Sequence, residues 1–233
     1  MAKKANPFLS EVDATSFFQF TALKQRLDVI KQLFGGDSRL ILVMGESGSG
    51  KTLMMQQLFA EDSHYWKGCC VNAQEALEPG DRIVEHQAYL YRKNDIPVMM
   101  MDDAHKLMMD EVAYLIQLTG ACGQPKQIDK LLFFCDFTML TLLTDLSEML
   151  PEADAVEKVY MPMLSRNETE TYIYKRMASV GLHRKEIFTP CEIDIIFDGT
   201  GGCPGSINQE AGRMFDQKMK EGGRVKQFMR NFF

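Results

Sequence analysis

A chain of 233 residues with 45% hydrophobic and 25% charged residues has the apolar material for a domain of about 150 residues plus a smaller appendage, which excludes a disordered or fibrous protein. A net charge of −6 and a pI near 5.3 argue against a generally basic surface that coats nucleic acid, and leave only a local patch open. The six cysteines form no CxxC pair, the histidines stand at no zinc-ligand spacing, and neither a signal peptide nor a run long enough to span a membrane occurs, so a soluble cytoplasmic chain with reduced core thiols is expected.

Leu23, Leu27, Ile30 and Leu33 recur at helical spacing until Gly35-Gly36, which predicts a first helix. Residues 39–44 (RLILVM) form a β-rich apolar run that ends in glycine, and beyond Lys51 the segment LMMQQLFA reads as helix. Apolar runs over 68–71, 98–101, 131–135 and 156–163 predict four further strands with helical segments between them. Strands that are apolar on both faces and alternate with helices imply a parallel sheet covered on two sides, an α/β layered domain. After Met163 the strands stop, and 168–180, 190–197 and 206–220 predict three helices. The expected layout is an N-terminal helical segment over 1–36, a nucleotide-binding α/β domain over 37–164 and a small helical lid over 165–233.

Between the first strand and its helix, Gly45, Glu46, Ser47, Gly48, Ser49, Gly50, Lys51 and Thr52 match G-x-x-x-x-G-K-[ST] at every fixed position. Glycines let successive backbone N–H groups turn inward onto a triphosphate at the positive end of the following helix. Lys51 is expected to reach the β- and γ-phosphates and the Thr52 hydroxyl to ligate Mg²⁺. The cofactors so implied are ATP or ADP with Mg²⁺. The bland alternative, a glycine turn with a surface lysine, has no reason to sit between a strand and a helix.

Residues 98–103 read VMMMDD. A carboxylate at the end of this run, Asp102, is placed to hold magnesium or its bound water, and Asp103 to face the attacking water. The competing reading is an Asp pair that caps the next helix. Met99, Met100 and Met101 are core filler. For His105, a structural or surface role outweighs a hydrogen bond near the site.

Together GESGSGKT, MMMDDAH (99–105), LLFFCDFTML (131–140), MPMLSRNETETYIYKRM (161–177) and GTGGCPGSIN (199–208) resemble the AAA+ ATPases of the ExeA/GspA group. The resemblance runs over nearly the whole chain. It implies an α/β, parallel-sheet P-loop NTPase core with a small C-terminal helical lid, and an ATPase that serves secretin assembly in type II secretion. It puts Asp103 where the family usually has the catalytic glutamate, and Asp136 at the polar sensor that contacts the γ-phosphate or its water; a plain strand-end turn residue is the alternative at Asp136. Gly205 falls where the family carries a lid arginine on the nucleotide, and residues 150–159 hold no finger arginine, with Lys158 a weak stand-in. A finger is worth about 10³ to 10⁵ in rate, so slow or partner-activated hydrolysis is expected.

Val225, Phe228, Met229, Phe232 and Phe233 make an apolar stripe beside Arg224, Lys226 and Arg230. Docking on the protein's own surface, a membrane surface, a segment leading to a membrane span and a partner groove all stay open for it. The expected function is a nucleotide switch in which ATP bound between sheet and lid alters self-association or grip on an inner-membrane or secretion-system protein, at the inner face of the membrane. A DNA-associated helper ATPase of the transposition type and a nucleotide-gated scaffold without turnover are the alternatives, and the acidic balance disfavours nucleic acid as a partner.

Overall fold

The computed structural model describes residues 6–9, 20–60, 66–72, 96–120, 126, 128–148, 156–182 and 187–232, and the backbone alone for residues 66–72, 96–97 and 221–232. The chain divides into two units, Thr21–Pro162 and a second made of Met1–Phe20 with Met163–Phe233. The expected segment over 1–36 is thereby split: its helix α1 (Thr21–Phe34) belongs to the first unit and packs against the sheet at β5 (Val156–Tyr160).

In the first unit, β1 (Leu40–Met44), β2 (Trp66–Asn72), β3 (Ile96–Asp102), β4 (Lys130–Cys135) and β5 form a parallel sheet in the order β2-β3-β4-β1-β5. The central strands β1 and β4 are buried at every position, as are residues 98–102 of β3, whereas β5 at the edge buries Val159 and exposes Glu157, Lys158 and Tyr160. That difference explains why the central runs read as uninterrupted hydrophobic stretches and the last one does not. Because side chains alternate between faces, Leu40, Leu42, Met44, Leu131, Phe133 and Cys135 join one core with Val112, Leu115 and Ile116 of α3 (Met109–Gln117) and Met139, Leu143 and Leu146 of α4 (Thr138–Ser147). Helix α2 (Lys51–Ala60) packs on β2, β3 and β4 through a face that buries Met54, Met55 and Leu58. Met99, Met100 and Met101 are fully buried, as filler should be.

The second unit holds α5 (Arg166–Ser179), α6 (Pro190–Thr200) and α7 (Pro204–Phe232). Two capping boxes start the first two of these helices: Ser165 with Glu168, and Thr189 with Glu192, the latter followed by Pro190 at the first helical position. Their core gathers Tyr172, Ile173, Met177, Ile193, Ile196, Ile207 and Phe215, and Phe8 packs edge-on against Phe188 and Phe215 at centroid distances of 6.0 and 6.4 Å. Among the free thiols, Cys135 and Cys203 are buried, but Cys191 is exposed and corrects the expectation of core thiols throughout. It is the second residue of α6, two positions before the buried Ile193. The side chains of Cys69, Cys70 and Cys122 and of the stripe from Val225 onward lie outside the described residues. No helix among the described residues is long and apolar enough to cross a membrane.

Candidate nucleotide site

The carboxyl ends of β4, β1 and β5 lie level, since Met44 pairs with Cys135 on one side and Tyr160 on the other. The glycine loop leaves β1 at that rim, the crevice where open parallel sheets bind ligands. Gly45 keeps the ladder going by donating its N–H to the Cys135 carbonyl at 3.2 Å. A Cβ there would fall 2.5 Å from Ser49 Oγ and 2.9 Å from Met161 Cβ, so glycine is required by crowding. Gly48 (φ 79°) and Gly50 (φ 95°) take the left-handed conformation that lets the loop turn back toward α2.

Lys51 opens α2 and is buried, its Nζ donating to the carbonyls of Gly45 (2.8 Å) and Glu46 (2.9 Å). The ammonium is thus held at the loop it would help to charge. One residue on, the Thr52 hydroxyl donates to Asp102 Oδ2 at 2.8 Å, which ties the loop to the end of β3. Asp102 is buried, and its Oδ1 accepts from the Asp103 N–H at 3.0 Å. A hydroxyl and a carboxylate in contact at the rim are hard oxygen donors, the set that suits Mg²⁺ shared with phosphate oxygens.

Asp103 has φ 54° and ψ 31° and precedes a 3-10 turn, Ala104–Lys106. Its side chain makes no capping bond, which removes the helix-cap reading for this residue. Instead its carboxylate accepts from Lys106 Nζ at 2.6 Å, a partner that the acid–base spacing of DDAHK offers but sequence reasoning passed over.

Asp136 follows β4 directly. Its Oδ1 accepts from the Thr138 N–H at 2.9 Å and from the Thr138 hydroxyl, so the turn-residue reading describes one of its oxygens. The other oxygen faces His105. Burial raises the Asp136 carboxyl, but the Thr138 bonds and the influence of His105 and Lys51 outweigh it and hold the group below the usual carboxylate range. Burial, reinforced by Asp136 and opposed by Lys51, pushes the neighbouring Cys135 thiol up to about 12, which leaves it protonated and inert beside the site. Gly205 belongs to the helical unit, in the first turn of α7.

The chain is similar in structure to the Aeropyrum pernix ORC2 protein solved with ADPNP and ADP (17% identity, 81% of this chain and 59% of that chain, TM-score 0.50). It is similar also to Cdc6p from Pyrobaculum aerophilum (16%, 91% and 67%, TM-score 0.57) and to NtrX from Brucella abortus in complex with ATP (16%, 89% and 52%, TM-score 0.53). The fold is that of the AAA+ P-loop NTPases. The chain therefore spans 52% to 67% of the lengths of these AAA+ structures, and at such identities the likeness concerns fold alone, not the ExeA/GspA group. No protein-family model and no curated protein matches the sequence.

Proposed function

We propose that this AAA+ chain is an ATP-binding switch with slow or partner-activated hydrolysis, acting in the assembly of a membrane or secretion complex at the cytoplasmic face of the inner membrane. The observation that carries the nucleotide part is the Thr52–Asp102 hydrogen bond, which joins a phosphate loop with its lysine in place to an acidic strand end. Thr52 and Asp102 fit a magnesium ion and would hold it together with the triphosphate. Bound there, the ion would neutralise charge on the phosphate oxygens. Lys51 would add the positive charge of the chain itself, and the N–H groups of the loop would orient the anion.

Slow turnover rests on three features. Asp103 is one methylene shorter than the glutamate the resemblance calls for, its carboxylate is engaged by Lys106, and Gly205 offers no cation. The isolated chain should bind ATP yet turn it over at well below about 1 s⁻¹, the lower end of ordinary enzyme rates. In phosphate-release assays Asp103→Glu should raise that rate, and Asp103→Asn should lower it by at least ~10-fold without weakening ATP binding, the scale of a lost general base. Equal rates in all three proteins would remove Asp103 from the reaction.

Gly205 lies in a regular first helical turn, so a side chain meets no left-handed backbone there. Gly205→Arg should tighten ATP over ADP relative to the Gly205→Ala control, as measured by equilibrium binding of both nucleotides. An arginine variant that behaves like the alanine one would count against a nucleotide role for this position. The assembly role rests on the resemblance carried by 161–177 and 199–208. It is tested by pull-down from native membranes in ATP and in ADP, where a partner retained equally in both states would refute a switch.

A further inference from the structure

His105 and Asp136 come from different strand ends, and both nitrogens of the imidazole are turned to the one acidic residue. The Asp136 N–H donates to His105 Nδ1 at 3.4 Å, and His105 Nε2 stands 3.6 Å from Asp136 Oδ2. A ring that accepts at Nδ1 carries its proton, when neutral, on Nε2, the nitrogen that faces the carboxylate. Thr138 holds the opposite oxygen from α4, so the Asp136 carboxylate is gripped on two sides by groups from separate elements. His105 itself sits in the short turn that begins immediately after Asp103, whose own carboxylate is tied down by Lys106 of that turn.

From this geometry we propose that His105 is a positioning residue: it fixes the Asp136 carboxylate relative to the turn bearing Asp103, so that the two acidic groups hold one offset across the rim of the phosphate loop. The inference rests on the ATP-hydrolysis reading above. Contacts of 3.4 and 3.6 Å lie at and beyond the long end of hydrogen bonding, too weak to hold the fold together, while contacts of this kind tighten when a site fills. Removing them should therefore leave stability nearly unchanged and act on the reaction. A misplacement of about 1 Å in a reacting geometry costs on the order of 10²-fold in rate.

The test uses the full chain with two substitutions. His105→Phe keeps a ring of similar size and removes both nitrogens, whereas His105→Gln keeps one acceptor and one donor. The phenylalanine variant should lose about 10- to 100-fold in kcat with ATP affinity within about 2-fold of wild type, and the glutamine variant should recover most of the loss. Should wild type bind ATP with no measurable turnover, the same pair is read through the preference for ATP over ADP, which His105→Phe should lower and His105→Gln retain. A phenylalanine variant equal to wild type in these readouts, or a glutamine variant no better than phenylalanine, overturns the positioning role. A wild-type chain that binds neither nucleotide overturns the ATP reading itself, before any variant is compared.

Discussion

Replacing Lys51 with alanine should weaken Mg-ATP binding by at least ~100-fold, about 2.7 kcal/mol, while the far-UV circular dichroism of the chain stays that of wild type. The ammonium does two things in the free protein: it places positive charge at the loop, and it satisfies the carbonyls of Gly45 and Glu46. Alanine removes both. The Gly45 bond is buried and the Glu46 bond partly so, and leaving such carbonyls unsatisfied costs about 1–3 kcal/mol of local stability, which is not enough to unfold the sheet. Lys51→Met separates the contributions, because it keeps most of the stem that packs at the start of α2 but carries no charge and no donor. Equilibrium titration with a fluorescent ATP analogue decides the matter. Affinity unchanged in both variants would mean that the glycine loop is not a phosphate site.

The central strands were legible in the sequence because their burial is complete. At β1 and β4 every side chain is buried, so the apolar runs over 39–44 and 131–135 stand out and end at the last paired residues, Met44 and Cys135. The apolar run predicts a last strand to Met163, whereas the strand stops at Tyr160: Met161 adds one hydrogen bond to the Met44 carbonyl and packs beside Gly45. Apolar character persists past the strand for a tertiary reason, the packing of Met161 at the loop root. A single sequence carries no sign of that.

The site divides in the same way. The candidate phosphate loop stands out in the sequence because its pattern is local: eight consecutive residues supply glycines, a lysine and a hydroxyl. That Asp102 meets Thr52 follows only from the sheet order, which brings β3 within one strand of β1 across β4. The engagement of Asp103 by Lys106 was visible as a spacing but not as a choice, since Asp103 could have capped the turn until its φ of 54° turned the side chain elsewhere. His105 and Asp136 lie 31 residues apart, and nothing in either neighbourhood announces the other.

Within GTGGCPG the position with the largest expected effect is not Gly205 but Gly202. Gly202→Ala should destabilise the helical unit by more than about 3 kcal/mol, because two costs fall together there. The residue has φ +79°, and an added Cβ would lie 1.9 Å from the Leu164 carbonyl oxygen and 2.9 Å from its carbonyl carbon, both backbone atoms that no side-chain rotation can move. The approach is also hydrogen-bonded, since the Leu164 N–H donates to the Gly202 carbonyl at 3.0 Å, so relief of the clash costs a buried contact as well. Gly201 is the control. It closes α6 at φ +56° with its N–H on the Phe197 carbonyl, but a Cβ there meets nothing within 4 Å. Gly201→Ala should therefore cost only the left-handed backbone penalty of about 1–2 kcal/mol. In thermal unfolding followed by circular dichroism, 1 kcal/mol moves the midpoint of a unit of this size by about 4–8 °C, so the first transition should fall by more than ~10 °C in Gly202→Ala and clearly less in Gly201→Ala. Midpoints lowered equally in the two variants would show that conformation alone, and not the close passage of the Leu164 backbone, sets the requirement for glycine.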